Sequence, residues 1–567
     1  MGKAWKSGSA IALVAALATL AACSGSKEPA ADSAKPSAAP SAAATSPTPV
    51  EKVNPLAKYE PAITFTTVRK EVEGIKYPPG QNLDKNVWYD FLETDLGIKV
   101  VNSWKVPAAQ WDQKMNVSII SGDLPDFMLV DPRQLQLLID GGKLMDMTAV
   151  YDKYASPLLK ELSSKEKMDF GTFKGKLMAI PAGPPTIDFA PILWIREDWR
   201  KKLNLPEPKT ADDLLGIINA FTTKDPDGNG KNDTYGFNMH KMLYGTYSGI
   251  EGFLNMFKAY GYNLNGTTMW QKDASGKLVF SSIQPEMKTA LGKLQELYKA
   301  GAIDKEFGVY DSTKSSENEM KGKTGVHFGI NSNPGNPLRD FKKTFPEGEW
   351  KPYPLPSADG SKARPVVTAA APTEYFVVNK AAKNPEALVK MLNYFYEKVV
   401  GPNADPAKYH TAAIDGTNYT VFQYAPIKGG IPNANLASHY AVVNALKSND
   451  PGKLNAEQKG YFDTINQYRK GDLTQWFRDR IFGEEGSYGV IGYYNDNKLP
   501  MINEYAGPPT KTMVEKGSTL QDLEIQTFTK IIMGNSLDDF DKYVKDWKSL
   551  GGDAITQEVN DWYAGKK

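Results

Sequence analysis

The sequence Pro-Ile-Leu-Trp-Ile at residues 191–195 is an unbroken apolar run with two β-branched residues. Such a run is typical of a strand buried on both faces. Further along, Thr210 and Asp213 have the spacing of a capping box and precede apolar residues at helical spacing over 214–221. In a capping box the two side chains bond reciprocally to backbone N–H groups of the first helical turn. The stretch therefore predicts a buried strand followed by an amphipathic helix.

The same alternation continues on both sides of this stretch. Strand-like segments are residues 98–101, 127–130 and 176–181. Helical segments are residues 108–120 before Gly122, 135–139 before Gly141 and Gly142, 285–300 before Gly301, and a helix opened by Ser536-x-x-Asp539 that carries Phe540, Val544 and Trp547 on one face. Strands alternating with helices predict an α/β protein with largely parallel sheets.

The N-terminus has the pattern of a secretion signal. Lys3 and Lys6 precede an apolar segment at residues 11–20, which is shorter than the roughly 20 residues that cross a bilayer. The segment ends in Leu-Ala-Ala before Cys23, which resembles the bacterial lipobox. We expect residues 1–22 to be a lipoprotein signal peptide and Cys23 to carry acyl chains such as palmitate. The alternative is an ordinary secretion signal in which Cys23 is incidental.

Residues 23–57 comprise that cysteine and a segment rich in Ala, Ser, Pro and Thr. Such a composition buries too little apolar surface to offset its ordering entropy, so we expect a flexible linker. The rest of the chain is too long for one small core, and two or more lobes are expected. Its charge is close to neutral, because the formal net charge of +1 becomes −1 once Lys3 and Lys6 are removed. Nucleic acid is therefore not an expected partner.

Residues 225–233 read Asp-Pro-Asp-Gly-Asn-Gly-Lys-Asn-Asp. Oxygen-bearing side chains at positions 1, 3, 5 and 9, with glycine at position 6, match the spacing of an EF-hand calcium loop. The expected ligands are Asp225, Asp227, Asn229, the carbonyl of Lys231, and Asp233. Position 12 is glycine rather than a bidentate glutamate, so another ligand must come from elsewhere, from water or from Thr234. The alternative is a solvated turn without metal.

Motifs in fixed order along the chain resemble the family 1 extracellular solute-binding lipoproteins of Gram-positive bacteria. The motifs are Ser-Gly-Asp-Leu-Pro-Asp at 121–126, Gly-Lys-Leu-Met-Ala-Ile-Pro at 175–181, Leu-Trp-Ile-Arg-Glu-Asp-Trp at 193–199, and shorter matches at 284–287, 302–307, 384–387, 531–534, 551–553 and 558–563. The subgroup is similar to the LipO-type lipoproteins and, more distantly, to alginate-binding proteins, which carry a calcium loop at the equivalent position.

The resemblance implies a two-lobed periplasmic-binding-protein-like fold of type II, with three crossings between the lobes near residues 182–190, 368–376 and 484–494. Lobe 1 would comprise residues 58–185 and 371–488, and lobe 2 residues 186–370, with a C-terminal helical segment at 489–567 mainly in lobe 2. The implied function is to capture an oligosaccharide or other small solute in the cleft and to deliver it to the permease subunits of an ABC importer. The lipid anchor would hold the protein on the outer face of the cell membrane.

Candidate ligand-binding residues lie near the expected crossings or in loops that could reach the cleft. Aromatic rings there could stack on sugar faces, and charged or amide groups could bind hydroxyls. The candidates are Trp88, Asp126, Asp188, Trp194, Arg196, Phe328, Asn331, Glu374, Tyr375 and Tyr488. Each of them could instead be a core or turn residue.

Two other functions must be weighed against solute delivery. A secreted polysaccharide-active enzyme would need paired carboxylates, but the chain has no GxSxG, HExxH or GxxxxGK[ST] motif, so we expect no catalytic activity. A sugar-sensing or adhesion lipoprotein could share both the fold and the anchor.

The lipobox yields the first prediction. Cys23→Ala should abolish incorporation of a radiolabelled fatty acid, because the sulfur that accepts the lipid is removed. Metabolic labelling of cells that express either form measures this, with equal total protein as the control. Retained label in the variant would contradict lipidation at Cys23.

Overall fold

The computed structural model describes residues 53–72, 74–183, 187–262, 268–367, 372–402, 404–507 and 509–566. The signal peptide, Cys23 and the linker up to residue 52 lie outside the described residues. Parts of two expected crossings, at 184–186 and 368–371, also lie outside them.

Fifteen strands occur in the described residues. They are β1 (Ile63–Glu71), β2 (Ile98–Pro107), β3 (Phe127–Val130), β4 (Thr172–Phe173), β5 (Lys176–Leu177), β6 (Ile180–Ala182), β7 (Ile192–Arg196), β8 (Tyr235–Phe237), β9 (Trp270–Lys272), β10 (Leu278–Phe280), β11 (Thr324–Gly329), β12 (Trp350–Tyr353), β13 (Glu374–Val378), β14 (Ala412–Ile414) and β15 (Thr417–Tyr419).

Twenty-one α-helices accompany them in the described part of the chain. They are α1 (Val87–Leu96), α2 (Trp111–Ser121), α3 (Pro132–Asp140), α4 (Thr148–Tyr154), α5 (Pro157–Glu161), α6 (Lys165–Asp169), α7 (Glu197–Lys202), α8 (Ala211–Thr223), α9 (Glu251–Met256), α10 (Pro285–Lys299), α11 (Ser312–Met320), α12 (Phe341–Thr344), α13 (Glu386–Val399), α14 (Pro406–Tyr409), α15 (Ala434–Ser448), α16 (Ala456–Arg469), α17 (Trp476–Phe482), α18 (Ser487–Asp496), α19 (Lys511–Ile532), α20 (Asp538–Trp547) and α21 (Asp553–Lys566).

Lobe 1 is built on a three-stranded sheet in the order β3-β13-β6, beside the parallel pair β1 and β2. Both faces of this sheet are buried. Phe127 and Phe376 point into one hydrophobic cluster, while Met128 and Tyr375, their sequence neighbours, point into another. Alternate residues of a strand face opposite sides, so two separate cores form on the same sheet. Lobe 1 thus comprises residues 53–182 and 374–427 by core membership.

Lobe 2 is built on a four-stranded sheet in the order β12-β7-β11-β8. All five residues of β7 are buried, as the apolar run at 191–195 predicts. The core around this sheet also receives residues from α10 and from the C-terminal helices α19, α20 and α21. By core membership, lobe 2 comprises residues 187–367 and 436–563.

The chain passes from the core of one lobe to the core of the other in three places. These lie between residues 182 and 187, between 367 and 375, and between 427 and 436. The first two changes fall within the expected crossing regions. The third precedes the expected 484–494, and Tyr488 lies within the lobe 2 core. The structure therefore differs from the expected boundary at residue 488, because α15 to α17 bury Leu436, Ile465 and Trp476 in lobe 2.

Several local predictions are confirmed. Thr210 and Asp213 make both bonds of the capping box that opens α8. Gly122 ends α2 in the left-handed region at φ 76°, which favours glycine. The helix predicted to open at Ser536 begins one residue later than expected, with Leu537 at the N-cap, but the Ser536 hydroxyl accepts the N–H of Asp538, the first residue of α20, at 3.1 Å.

The expectation of largely parallel sheets was wrong. The pairs β1–β2 and β8–β11 are parallel, but β13 is antiparallel to β3 and β6, and β7 is antiparallel to β11 and β12. A strand that enters a sheet from the other lobe need not follow the right-handed crossover rule of a continuous strand-helix-strand unit. No helix in the described segments is both long enough and apolar enough to span a membrane.

Candidate functional site

A cavity of about 500 Å³ opens on lobe 1, beside all three segments where the chain changes lobe. Its lining includes Ala182 and Gly183 at the first segment, Glu374 at the second, and Lys428 to Gly430 at the third. The end of β1 supplies residues 67–70. We call this the lobe 1 cavity.

Strand polarity explains why these residues meet. Arg69 lies near the carboxyl end of β1, which is parallel to β2, and Ala182 ends β6. Because β13 is antiparallel to β6, its first residue, Glu374, pairs with Ala182 at the same edge. In open α/β sheets, ligands bind outside the carboxyl ends of strands. The lobe 1 cavity lies at this edge.

Charged and aromatic side chains line the lobe 1 cavity. Arg69, Lys70 and Lys428 contribute positive charge and Glu374 contributes negative charge. Trp111, at the start of α2, and Tyr77 contribute aromatic surface. The ring of Tyr77 stacks on Tyr424 with centroids 4.5 Å apart. Fixed rings beside polar groups are suited to a ligand with both apolar faces and hydroxyls.

A second cavity, of about 710 Å³, lies between the lobes. Its lobe 1 wall is formed by α2 and α3, with Asp112, Asn116 and Arg133 among the lining residues. Tyr505 and Trp562 line its lobe 2 wall. Trp111 lines the lobe 1 cavity and the adjacent Asp112 lines this one, so the first turn of α2 contributes to the walls of both cavities.

Three of the predicted ligand residues form one polar cluster in lobe 2. Asn331 donates to the Tyr488 hydroxyl at 2.6 Å, and Asn435 donates to Asp188 at 2.8 Å. Burial, followed by the negative charge of Asp188, raises the pKa of Tyr488. The exposed ring of Phe189 is the next residue after Asp188. Asn331 and Tyr488 are buried, 6% and 2% exposed, whereas the ring of Phe189 is exposed beside the first connecting segment.

Four predicted ligand residues lie in hydrophobic cores instead. Trp88 packs in lobe 1 against Phe395 at a centroid distance of 5.3 Å. Trp194 is fully buried in β7, where its ring stacks on His327. Phe328 and Tyr375 are also buried, 1% and 3% exposed. Trp194, Phe328 and Tyr375 are buried because both faces of each central sheet are covered, and Trp88 is buried because α1 packs against α13.

Asp126 and Arg196 lie at the opposite edges of their sheets from the connecting segments. Asp126 precedes β3 and accepts hydrogen bonds from the N–H and hydroxyl of Thr66 at 2.8 and 2.7 Å. Arg196 ends β7 and pairs with Asp198 at 2.9 and 2.7 Å. A four-residue strand spans roughly 13 Å, so these two side chains lie well away from the sheet edges beside the connecting segments. Their role is structural.

Among the ten predicted ligand residues, Glu374 is the one that lines the lobe 1 cavity. The sequence reasoning missed Arg69, Tyr77, Trp111 and Lys428. The signal for two of them was available, because Arg69 and Trp111 lie near the ends of consecutive strands that a parallel sheet would place at one edge. Lys428 could not be found this way, because it lies in an irregular segment between α14 and α15.

The predicted calcium loop joins α8 to β8. Asp225 accepts backbone N–H groups from Gly228, Asn229 and Gly230 at 2.9–3.0 Å. Gly230 has φ +77°, as its position in the EF-hand pattern requires. The bond from Gly230 contributes most to lowering the pKa of Asp225, whereas burial and then Asp225 itself raise the pKa of Asp227.

The side-chain amide of Asn229 donates to both Asp227 at 2.8 Å and Asp233 at 3.0 Å, and so gathers the acidic groups. The N–H of Lys231 donates to the Asn229 oxygen at 2.8 Å. Thr234 is buried and donates to the carbonyl of Phe221, a residue of α8, at 2.7 Å. This bond holds the end of the loop against α8. In the described segments, no three His, Cys, Asp or Glu side chains form a metal-binding group. The oxygens nevertheless fit calcium in kind and order.

The family model for bacterial extracellular solute-binding proteins matches residues 76–401, more than half of the chain. This chain belongs to that family. Its members bind solutes, so this solute-binding protein is not an enzyme, as its sequence indicated.

Two curated relatives from Bacillus subtilis (strain 168) match nearly the whole chain. Lipoprotein LipO is 24% identical over 502 residues, covering 86% of this chain and 91% of LipO. The polygalacturonan/rhamnogalacturonan-binding protein YtcQ is 23% identical over 495 residues, covering 86% of this chain and 89% of YtcQ. The resemblance to LipO-type proteins is thus confirmed.

Solved structures share the fold. A human-milk-oligosaccharide (HMO)-binding, ABC-transporter-associated solute-binding protein from Bifidobacterium longum infantis superposes with a TM-score of 0.57 at 18% identity, covering 89% of this chain and 99% of that chain. An EF-hand mutant of the S. pneumoniae ABC-transporter substrate-binding protein FusA, in complex with fructo-nystose, has a TM-score of 0.52 at 19% identity, covering 89% and 100%. The two-lobed α/β fold is confirmed.

The burial of Trp194 changes what its substitution should do. Trp194→Ala should lower the free energy of unfolding by about 3–5 kcal/mol, because it leaves a cavity beside His327 in the core of lobe 2. Denaturant unfolding followed by circular dichroism measures this. Phe189→Ala, at an exposed ring nearby in sequence, is the control and should change stability by less than about 1 kcal/mol. Unchanged stability in the Trp194 variant would contradict its placement in the core.

Proposed function

We propose that this solute-binding protein captures an oligosaccharide in the cleft between its lobes and delivers it to an ABC importer. The observation that carries the proposal is the lobe 1 cavity, which combines Trp111, Tyr77 and hydrogen-bonding side chains beside the three connecting segments. Sugars bind through stacking of a ring face together with hydrogen bonds to hydroxyls, and this cavity offers both. The carbohydrate ligands of YtcQ and of the FusA complex support a carbohydrate ligand for this protein.

Lobe 2 offers the facing half of such a site. The cluster of Asp188, Asn331 and Tyr488, with Phe189 beside it, begins immediately after the first connecting segment. A hinge at the connecting segments would bring this cluster toward Glu374 and Trp111 when the lobes close. Ligand then favours the closed form by its greater affinity for that form, and the permease can distinguish loaded from empty protein.

The anchor is the second part of the proposal. Residues 53–57 of the expected linker instead contact lobe 1, where Lys390 donates to the Ala57 carbonyl at 2.8 Å. Cys23 would hold the protein on the outer face of the membrane, and residues 24–52 would separate the binding lobes from the lipid. A random coil of this length has a root-mean-square reach of about 30 Å. The name of the relative LipO supports a lipoprotein.

Calcium at residues 225–233 is the third part. Asp225, Asp227, Asn229, Asp233 and the Lys231 carbonyl would hold the ion, and a bound Ca²⁺ would neutralise the crowded carboxylates. The loop precedes β8, whose first residue pairs with Thr324 at the start of β11. β11 runs from this edge to Gly329, which lies at its other end beside the cluster of Asp188, Asn331 and Tyr488. The ion would therefore stabilise lobe 2 rather than contact the solute. The EF-hand named for FusA supports this part.

Binding should depend on Trp111 more than on its neighbour. The rings of Trp104 and Trp111 pack 5.4 Å apart, but Trp111 lines the lobe 1 cavity and Trp104 does not. In calorimetry with a cognate oligosaccharide, Trp111→Ala should weaken binding about 30-fold, the equivalent of about 2 kcal/mol for a hot-spot aromatic. Trp104→Ala is the matched control, and equal losses in both variants would argue against contact by Trp111.

Ligand should compact the protein without being consumed. Small-angle scattering should give a smaller radius of gyration with ligand, because hinge closure brings two rigid lobes together. Chromatography after prolonged incubation should recover the intact oligosaccharide. Product formation would refute a binding role, and an unchanged radius at saturation would refute closure.

Calcium should raise the melting temperature. Chelation with EDTA should lower it for the parent protein, because a ligand at 100 times its dissociation constant stabilises by about 2.7 kcal/mol. Asp225→Ala and Asp227→Ala should melt earlier in calcium and should not respond to EDTA. Asp273→Ala, which removes a similar turn-forming carboxylate elsewhere in lobe 2, should keep the response. A parent protein insensitive to EDTA would identify the loop as an ordinary turn.

A further inference from the structure

The lobe 1 cavity holds more positive charge than negative charge. Three cationic side chains line it, those of Arg69, Lys70 and Lys428, against the single carboxylate of Glu374. Within the residues that the structure describes, none of the three cations forms a salt bridge within 4.0 Å. Arg69 and Lys70 are half-buried and Lys428 is exposed. Half-buried cations in proteins are usually paired, so an unpaired Arg69 in a cavity, with a second cation beside it, is suited to a negatively charged partner.

Arg69 is positioned by neutral groups rather than by an acid. Its Nη1 donates to the Tyr89 hydroxyl at 3.1 Å and approaches the Tyr424 carbonyl at 3.4 Å. The Tyr89 hydroxyl in turn donates to Asn102 at 2.9 Å. These contacts hold the guanidinium without a salt bridge, and its charge interacts with Asp84 only at longer range. A guanidinium has five N–H donors in a planar fork, which suits bidentate binding of a carboxylate.

Lys428 adds a second cation close to Arg69. Desolvation lowers the pKa of Lys428, the positive charge of Arg69 lowers it further, and the negative charge of Glu374 opposes both effects. Two like charges held near each other in a partly desolvated cavity oppose folding. A bound anion would relieve their repulsion, so it would bind more tightly than a neutral ligand of the same shape.

Lys70 contributes less to this argument. Its Nζ lies 5.3 Å from the centroid of the Trp111 ring, a cation–π distance, which gives the charge a partner within the protein. The inference therefore depends on Arg69 and Lys428. The same cavity contains Trp111 and Tyr77, whose rings suit a sugar face rather than a small inorganic anion.

We infer that the oligosaccharide bound by this protein is acidic, with a uronate carboxylate held by Arg69 and Lys428 in the lobe 1 cavity. This inference depends on the proposed function, because it assigns a substrate class to the same cleft. Glu374 accepts hydrogen bonds from sugar hydroxyls in this arrangement, and Trp111 stacks on a ring face.

The test compares probes that differ only in charge. The mature chain is titrated by calorimetry with tri-galacturonate and with its fully methyl-esterified, neutral form. A wider panel adds trimers of mannuronate and of glucuronate as acidic probes, and gluco-, galacto- and fructo-oligosaccharides as neutral probes. At least one uronate trimer should bind at least tenfold more tightly than every neutral probe. Its affinity should fall when NaCl is raised from about 50 to 500 mM, because salt screens charge pairs.

Variants then locate the charge contact. Arg69→Gln and Lys428→Gln should each weaken uronate binding at least tenfold, and each should weaken uronate binding more than it weakens the binding of any neutral probe. Lys99→Gln, which removes an exposed lysine from β2 in the same lobe, is the charge-matched control and should bind like the parent. Lys428 is exposed, so its variant should keep the parent melting temperature and remains informative if Arg69→Gln fails to fold.

Each outcome decides between the two claims. Tighter binding of a neutral probe than of any uronate, or uronate binding that neither variant weakens, would overturn the acidic ligand and leave the oligosaccharide-binding role standing. Binding of no carbohydrate from either class would overturn both.

Discussion

Lobe 1 depends on the insertion of β13 between β3 and β6. The strand arrives from lobe 2, yet it supplies backbone hydrogen bonds to both neighbours, pairing Phe376 with Leu129 on one side and with Ile180 on the other. Buried backbone groups must be paired, so neither neighbour could stay in the core without it. The lobe therefore cannot complete its sheet until the chain has built most of lobe 2 and returned. This constraint fixes the two lobes to each other at the connecting segments and fixes Glu374 at the edge between them.

The same constraint decides which side chains reach the cleft. Antiparallel pairing brings the start of β13 to the carboxyl ends of β3 and β6, so one edge of lobe 1 collects Val130, Ala182 and Glu374. In lobe 2, the antiparallel pair β7–β11 places Ile192 opposite Gly329 and sends Arg196 to the far edge. The charged groups at the far edges, Asp126 and Arg196, hold strands and loops in place. Those at the near edges remain available to a solute.

The charge balance of the molecule differs from that of its cavity. The formal net charge of the chain is +1, which alone gives no reason to expect an acidic or a basic ligand. Locally, Arg69 is held by a hydroxyl and a carbonyl, whereas Arg196 is neutralised by Asp198 and surrounded by aromatic rings. The two arginines therefore have different roles. Arg196 stabilises a core, whereas Arg69 is positioned toward a ligand. Only their surroundings distinguish them.

The sequence by itself determined the features that depend on neighbouring residues. The capping box at Thr210, the helix end at Gly122 and the loop geometry at Gly230 follow from local backbone chemistry, and the ordered motifs identified the family. The tertiary structure decided what depends on distant residues. Trp88, Trp194 and Trp111 are all buried, yet Trp88 and Trp194 are enclosed by strands and helices far away in sequence while Trp111 lines the lobe 1 cavity. The directions of β7 and β13, and with them the residues at the cleft, were set by pairing with strands more than forty residues distant, because hydrogen-bond register is a property of the assembled sheet.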